Sequence, residues 1–147
     1  LKRRIRKKQE IYRQYQQQLG DLPGFFLMPV HDWEVSNCWL TAGRLADIYR
    51  SGKEKMTSIH IMERLEQEAV ESRPVWKPLH LQPVFFHCDF VSEAEELEGR
   101  SMVNDEMGAD KSICGQIFEK GICLPSDTKM TQEDMERICG LIRQCWE

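Results

Sequence analysis

At 147 residues, 41% hydrophobic and 30% charged, the chain has the size and composition of a single globular domain with a modest core. Its formal net charge of -4 excludes the overall basicity of a nucleic-acid binder, although Lys2, Arg3, Arg4, Arg6, Lys7 and Lys8 crowd one end and Asp89, Glu93, Glu95, Glu96 and Glu98 crowd the middle. No run approaches the roughly 18 apolar residues that span a bilayer, and the basic N-terminus lacks a signal peptide's apolar stretch, so a cytoplasmic protein with no membrane partner is expected.

From Leu1 to Leu19 there is no proline or glycine, and Ile5, Tyr12, Tyr15 and Leu19, with Ile11 beside them, recur at helical spacing. Gly20 is expected to end this helix in the left-handed conformation. The helix opens without an N-cap and reads as the back half of a longer one. Its two-turn basic cluster lacks interleaved aromatics that stack on bases, which favours a solvated or interdomain helix over a nucleic-acid arm. Pro23-Gly24 marks a turn before the strand-length run Phe25 to Met28. A second strand is predicted from Val35 to Ala42, with Ser36, Cys38, Leu40 and Ala42 facing one way, Asn37, Trp39 and Thr41 the other, and Trp39 read as core. Arg44 to Met56 is ambiguous apart from a turn at Ser51-Gly52. Thr57 or Ser58 caps the next helix, whose predicted face is Ile59, Met62, Leu65 and Ala69, with His60 off the stripe as a surface histidine.

That helix delivers the chain to Glu71-Ser72-Arg73-Pro74-Val75-Trp76-Lys77-Pro78-Leu79-His80-Leu81-Gln82-Pro83. Three prolines fix their own φ and push each preceding residue toward extended backbone, so a stiff, non-helical ribbon is expected. Alternation then puts Trp76, Pro78, His80 and Gln82 on one face, with Lys77, Leu79 and Leu81 on the other, the leucines anchoring the loop. Arg73, Trp76, Lys77, His80 and Gln82 combine two fixed cations, an imidazole, an amide and a large π-face, which suits an anionic ligand. The plainer reading makes Arg73-Pro74 the end of an edge strand and Trp76 a cover for the core.

After Val84-Phe85-Phe86 an acidic stretch reaches roughly Asp110 and is expected to be a solvated loop or ragged helix. Ile113, Cys114, Ile117 and Phe118 repeat at four-residue spacing, with Gly121 as the stop. Ile122-Cys123-Leu124 reads as a short buried strand, and Pro125-Ser126-Asp127 as a turn. Thr131 with Asp134 resembles a capping box for the last helix, whose core stripe is Met135, Ile138, Cys139, Ile142 and Cys145 or Trp146. The elements add up to an α+β domain: a short, mainly antiparallel sheet with helices packed on one face. The six cysteines form no C-x-x-C pair and read as free thiols, most of them small buried hydrophobes. No metal is expected, since His87-Cys88-Asp89 is the only local cluster with ligand chemistry and adjacent residues rarely converge on one ion.

The run Arg73 to Pro83, preceded by a basic helix and followed by Gly121-Ile122-Cys123-Leu124-Pro125-Ser126, resembles the C-terminal domain of the DegT/DnrJ/StrS sugar aminotransferases. The resemblance covers most of the chain and implies the small C-terminal domain of the aspartate-aminotransferase fold. It also implies a pyridoxal phosphate enzyme that aminates nucleotide-linked keto sugars. The family's Schiff-base lysine, pyridinium carboxylate and phosphate cradle lie on a large N-terminal domain that is not among these residues, so the chain alone is expected to be inactive, with no catalytic residue and no cofactor of its own. By the same resemblance the partners are a nucleotide-sugar substrate, an amino donor such as glutamate and a second copy in a homodimer. Arg73 or Lys77 would pair with the diphosphate, Trp76 would stack on a sugar ring or base, and His80 and Gln82 would bond hydroxyls. The acidic stretch is longer than the family's usual connection. A pyridoxamine phosphate-dependent sugar dehydratase of the same family is the alternative within this reading. A stand-alone module whose basic helix binds an acidic partner or nucleic acid is the alternative outside it.

Overall fold

A computed structural model describes residues 1–50, 54–85, 87–88 and 112–147. The elements in chain order are α1 (Lys2–Leu19), β1 (Phe25–Leu27), β2 (Thr41–Leu45), β3 (Ile48–Arg50), β4 (Glu54–Met56), α2 (Ser58–Gln67), β5 (Arg73–Pro74), α3 (Ile113–Lys120), β6 (Gly121–Leu124) and α4 (Gln132–Gln144), with 3-10 turns at Leu79–Leu81 and Pro83–Phe85. They divide into two compact units, one of Leu1–Val75 with Lys120–Glu147 and the other Trp76–Glu119.

In the first unit, four strands form an antiparallel sheet in the order β1-β2-β6-β5, and β3 pairs with β4 as a separate antiparallel hairpin. Gly43 lies opposite Ile122, and Cys123 opposite Arg73. This is the α+β class expected, with α1, α2 and α4 contributing Ile11, Tyr15, Leu19, Ile61, Leu65, Met135, Ile138 and Ile142 to one core with Phe25, Leu45, Ile122 and Leu124 of the sheet. Full burial of each such aliphatic side chain contributes about 1.5–3 kcal/mol. On α1 the buried residues fall at i, i+4 and i+8, one helical face, and the Tyr15 hydroxyl donates to the Pro125 carbonyl at 2.8 Å. Burial raises the Tyr15 pKa, so the phenol remains a donor.

The last helix starts as its sequence suggests. Thr131 Oγ1 accepts from the Asp134 N–H at 3.1 Å, and the Asp134 carboxylate accepts from the Thr131 N–H at 2.9 Å. That backbone bond is also the first cause holding the Asp134 carboxyl below its ordinary range. Arg143 grips both oxygens of Asp21 at 2.7 Å and donates to the Gln18 carbonyl at 2.6 Å, tying α4 to the end of α1. Trp146 meets Phe25 edge to face at 6.0 Å and donates to the Pro23 carbonyl at 3.0 Å.

Several expectations need correction. The strand placed at Val35 to Ala42 starts only at Thr41, because Ser36 and Asn37 turn their side chains onto the N–H groups of Cys38 and Trp39, at 3.1 and 3.0 Å, and Cys38 takes φ 46. Trp39 is therefore 63% exposed, not core. The ambiguous stretch after Arg44 contains the hairpin β3–β4, while Ser51-Gly52 lies outside the described residues, as do Phe86, Asp89 and the acidic stretch beyond it. Gly20 ends α1 with a right-handed φ of -68. Its requirement is steric, since a Cβ there would run into the Gln16 carbonyl oxygen. On α2 the buried positions are Ser58, Ile61 and Leu65, with Ile59 exposed and Ala69 beyond the helix end.

Ala69 has φ 56, and there the Ala69 N–H bonds the Glu66 carbonyl while the Val70 N–H bonds that of Leu65, both at 2.9 Å. This is a Schellman ending with alanine in the position glycine usually takes. His60 is not an idle surface residue: its Nδ1 accepts from the Thr57 N–H at 3.1 Å, so it closes the capping box of α2.

In the second unit, α3 leaves Ile113 and Ile117 exposed and buries Gly115, so its apolar repeat is not a core stripe. The proline ribbon is extended only as far as Pro78. There the chain bends, because the Leu81 N–H bonds the Pro78 carbonyl at 3.1 Å and the Gln82 N–H bonds that of Leu79 at 2.9 Å. A proline restricts the residue before it and lacks only its own N–H, so Pro78 and Pro83 can each open a helical turn. The predicted alternation of faces accordingly stops at Leu79, which is exposed and no anchor.

Candidate functional site

The five residues expected to meet a ligand are divided between the units. Arg73 belongs to the first, on the edge strand β5, where the plainer reading had put it. Its guanidinium is already engaged, with Nε donating to Glu71 Oε1 at 2.8 Å. Both side chains are about three-quarters exposed, and such a pair is weak enough to exchange for a better anion.

Trp76, Lys77, His80 and Gln82 lie together in the second unit. Trp76 is 65% exposed, which excludes its role as a core cover. Lys77 is exposed, and His80 and Gln82 are half-buried. The Gln82 side chain donates from Nε2 to the Lys77 carbonyl at 3.0 Å, and the Phe85 N–H bonds the Gln82 carbonyl at 2.9 Å. The turn from Lys77 to Phe85 is thus held by its own hydrogen bonds, and Trp76 and Lys77 stand exposed where the chain enters it. Such a support loses little entropy when a ligand arrives. It can pair with an anion through Lys77, stack through Trp76 and exchange hydrogen bonds through the imidazole of His80.

A second exposed aromatic surface, outside the residues singled out by the sequence, lies in the first unit. His31 and Trp33 stack at 5.3 Å, and Trp33 is 80% and Val35 94% exposed. Helix α1 braces this loop twice, with the Tyr12 hydroxyl on the Met28 carbonyl at 2.8 Å and Gln9 Nε2 on that of Ser36 at 2.7 Å. The signal available was two tryptophans among Pro, Asp and Asn, residues that favour loops over strands. Of the cysteines, Cys38, Cys123, Cys139 and Cys145 are buried, as read, whereas Cys88 and Cys114 are exposed. Burial pushes the Cys139 thiol up to about 12, which keeps it unreactive.

Residues 1–143 match the pattern of the DegT/DnrJ/EryC1/StrS aminotransferase family. The chain belongs to that family. It is 35% identical over 142 residues, 97% of its length, to EpsN of Bacillus subtilis (strain 168), which carries the description of a pyridoxal phosphate-dependent aminotransferase. Its fold is similar to that of the aminotransferase TlmJ from Streptoalloteichus hindustanus, with a TM-score of 0.66 at 19% identity over 96% of this chain and 31% of that one. It is equally similar to DesI, solved in the presence of its TDP-sugar product, with a TM-score of 0.67 at 19% identity over 97% of this chain and 31% of DesI. At those identities the two structures speak to the fold alone. The chain spans about a third of the length of these relatives.

The DegT/DnrJ/EryC1/StrS family is one of aminotransferases, so the fit of pyridoxal phosphate to these residues can be tested. A Schiff-base lysine needs a desolvated amine and the phosphate needs a cluster of free donors. Among the described residues no lysine is buried: Lys55 and Lys120 both pair with Asp47, at 2.8 and 3.2 Å, Lys8 donates to the Ser126 carbonyl, and Lys77 is exposed. The N-terminus of α4 is filled by the carboxylate of Asp134. The described residues do not make a pyridoxal phosphate site.

Proposed function

We propose that this chain is the substrate-facing small domain of an enzyme that transfers an amino group to a keto group on a nucleotide-linked sugar. In this reading pyridoxal phosphate and its lysine reside in a large N-terminal domain outside these residues, the working form is a homodimer, glutamate or a similar amine is the donor, and the present chain alone turns nothing over. Family membership, the likeness to EpsN and the TDP-sugar product named for DesI support it. The observation that carries it is the exposure of Trp76 and Lys77 at the entrance of a turn closed by its own hydrogen bonds. Lys77 meets the diphosphate as a point charge, Trp76 covers a sugar or base face, and His80 bonds a hydroxyl.

The test is steady-state kinetics of the full-length protein with a nucleotide-linked keto sugar and glutamate. A hydrogen bond to a charged group contributes about 1.5–3 kcal/mol, so Lys77→Ala is expected to raise KM roughly ten- to a hundredfold. Trp76→Ala should raise it by a smaller factor, with kcat changed less in both. Unchanged KM and kcat in both variants would overturn the assignment.

A further inference from the structure

Gln82 has the residue type of a ligand contact, yet its amide is occupied inside the loop. Its partner is the Lys77 carbonyl, which can only accept, so the NH2 side of the amide has to face inward. The same residue is fixed at its backbone. Its N–H bonds the Leu79 carbonyl at 2.9 Å, its own carbonyl accepts from Phe85 at 2.9 Å, and Pro83 behind it holds Gln82 extended at φ -91, ψ 137. At the other end Pro78 has φ -55 and ψ 147, and its ring restricts the backbone of Lys77 before it. One residue therefore closes the turn through three separate groups, and the two side chains between its anchor points that carry charge or titrate are Lys77 and His80.

We propose that Gln82 is a positioning residue: by clamping the Lys77 carbonyl it sets the direction in which Lys77 and His80 leave the turn, and it acts on substrate affinity through them. This rests on the reading of residues 76–82 as the substrate loop. A ligand-contact role and a clamping role differ in the ligand-free protein, where only the clamp has work to do.

The experiment is hydrogen exchange on the full-length protein without substrate, followed by kinetics with the nucleotide-linked keto sugar. Gln82→Glu keeps the length and removes the donor, setting a carboxylate against a carbonyl, and Gln82→Met removes the polarity without adding charge. Loss of one net hydrogen bond corresponds to about a fivefold change in local opening, so the amides of Leu81 and Gln82 should exchange about fivefold faster in both variants, with KM raised and kcat changed less. Unchanged exchange overturns the clamp whatever the kinetics do. Faster exchange with unchanged KM, in a protein where Lys77→Ala does raise KM, also overturns it. If neither Gln82 nor Lys77 variants move KM while exchange still rises, the substrate-loop reading fails and the clamp is left as a feature of the fold alone.

Discussion

The two units are held together by different forces. The first buries a continuous set of aliphatic and aromatic side chains from three helices and a sheet, several of them with no exposed surface at all. In the second, the described residues leave Trp76, Leu79, Val84, Ile113 and Ile117 substantially exposed, and backbone hydrogen bonds at proline-opened turns fix the shape of 77–85. Area removed from water supplies stability in one, and local geometry supplies direction in the other. Substitutions in the first unit should therefore show in denaturation curves, and those at exposed positions of the turn should leave stability nearly constant.

The sharpest way to break this contrast is a pair of truncations. Ile142→Ala should cost about 2–5 kcal/mol in urea unfolding, whereas Val84→Ala should stay within about 0.5 kcal/mol; similar losses in both would erase the distinction. Next in size is Gly43→Ala. A Cβ there would lie 2.8 Å from Phe25 Cζ and 3.2 Å from the Phe26 carbonyl oxygen, so the buried Phe25 ring has to move within the core, at a cost of about 1–3 kcal/mol by the same measurement. A gain is expected from Ala69→Gly, because the left-handed conformation strains alanine and not glycine; unfolding should be harder by about 1 kcal/mol.

The smallest effect is tied to pH. Arg143 hydrogen bonds hold the Asp21 carboxyl at about 2, below its ordinary value of 3.8, so the stabilisation is complete above the ordinary value and is lost as pH falls toward the lowered one. Asp21→Asn should lower Tm at neutral pH, and the gap from the parent should close between about pH 4 and pH 2. A gap independent of pH would show that the aspartate acts by packing.

What could be read beforehand follows the same division. Helix α4 was legible because its cap, Thr131 with Asp134, and its stripe from Met135 to Ile142 agree, and β6 was legible as an unbroken apolar run between Gly121 and Pro125. The false strand at Val35 shows why alternation is insufficient, since Ser36 and Asn37 satisfy neighbouring N–H groups themselves and take the chain out of the ladder. His60 was missed because a capping partner at that position is usually Glu or Gln. In the candidate loop, the residue types and the exposure of Trp76 could be anticipated. The pairing of Arg73 with Glu71 and the inward turn of Gln82 could not, because side-chain partners two and five residues away depend on where the backbone bends.

The edge strand β5 carries a consequence of its own. It is two residues long, and one of them is Pro74, which has no amide hydrogen to offer. A polypeptide approaching that border finds too few donors in line to extend the sheet, so this side of the domain resists recruitment into intermolecular β-structure, and replacing Pro74 with a β-branched residue would remove that protection from aggregation.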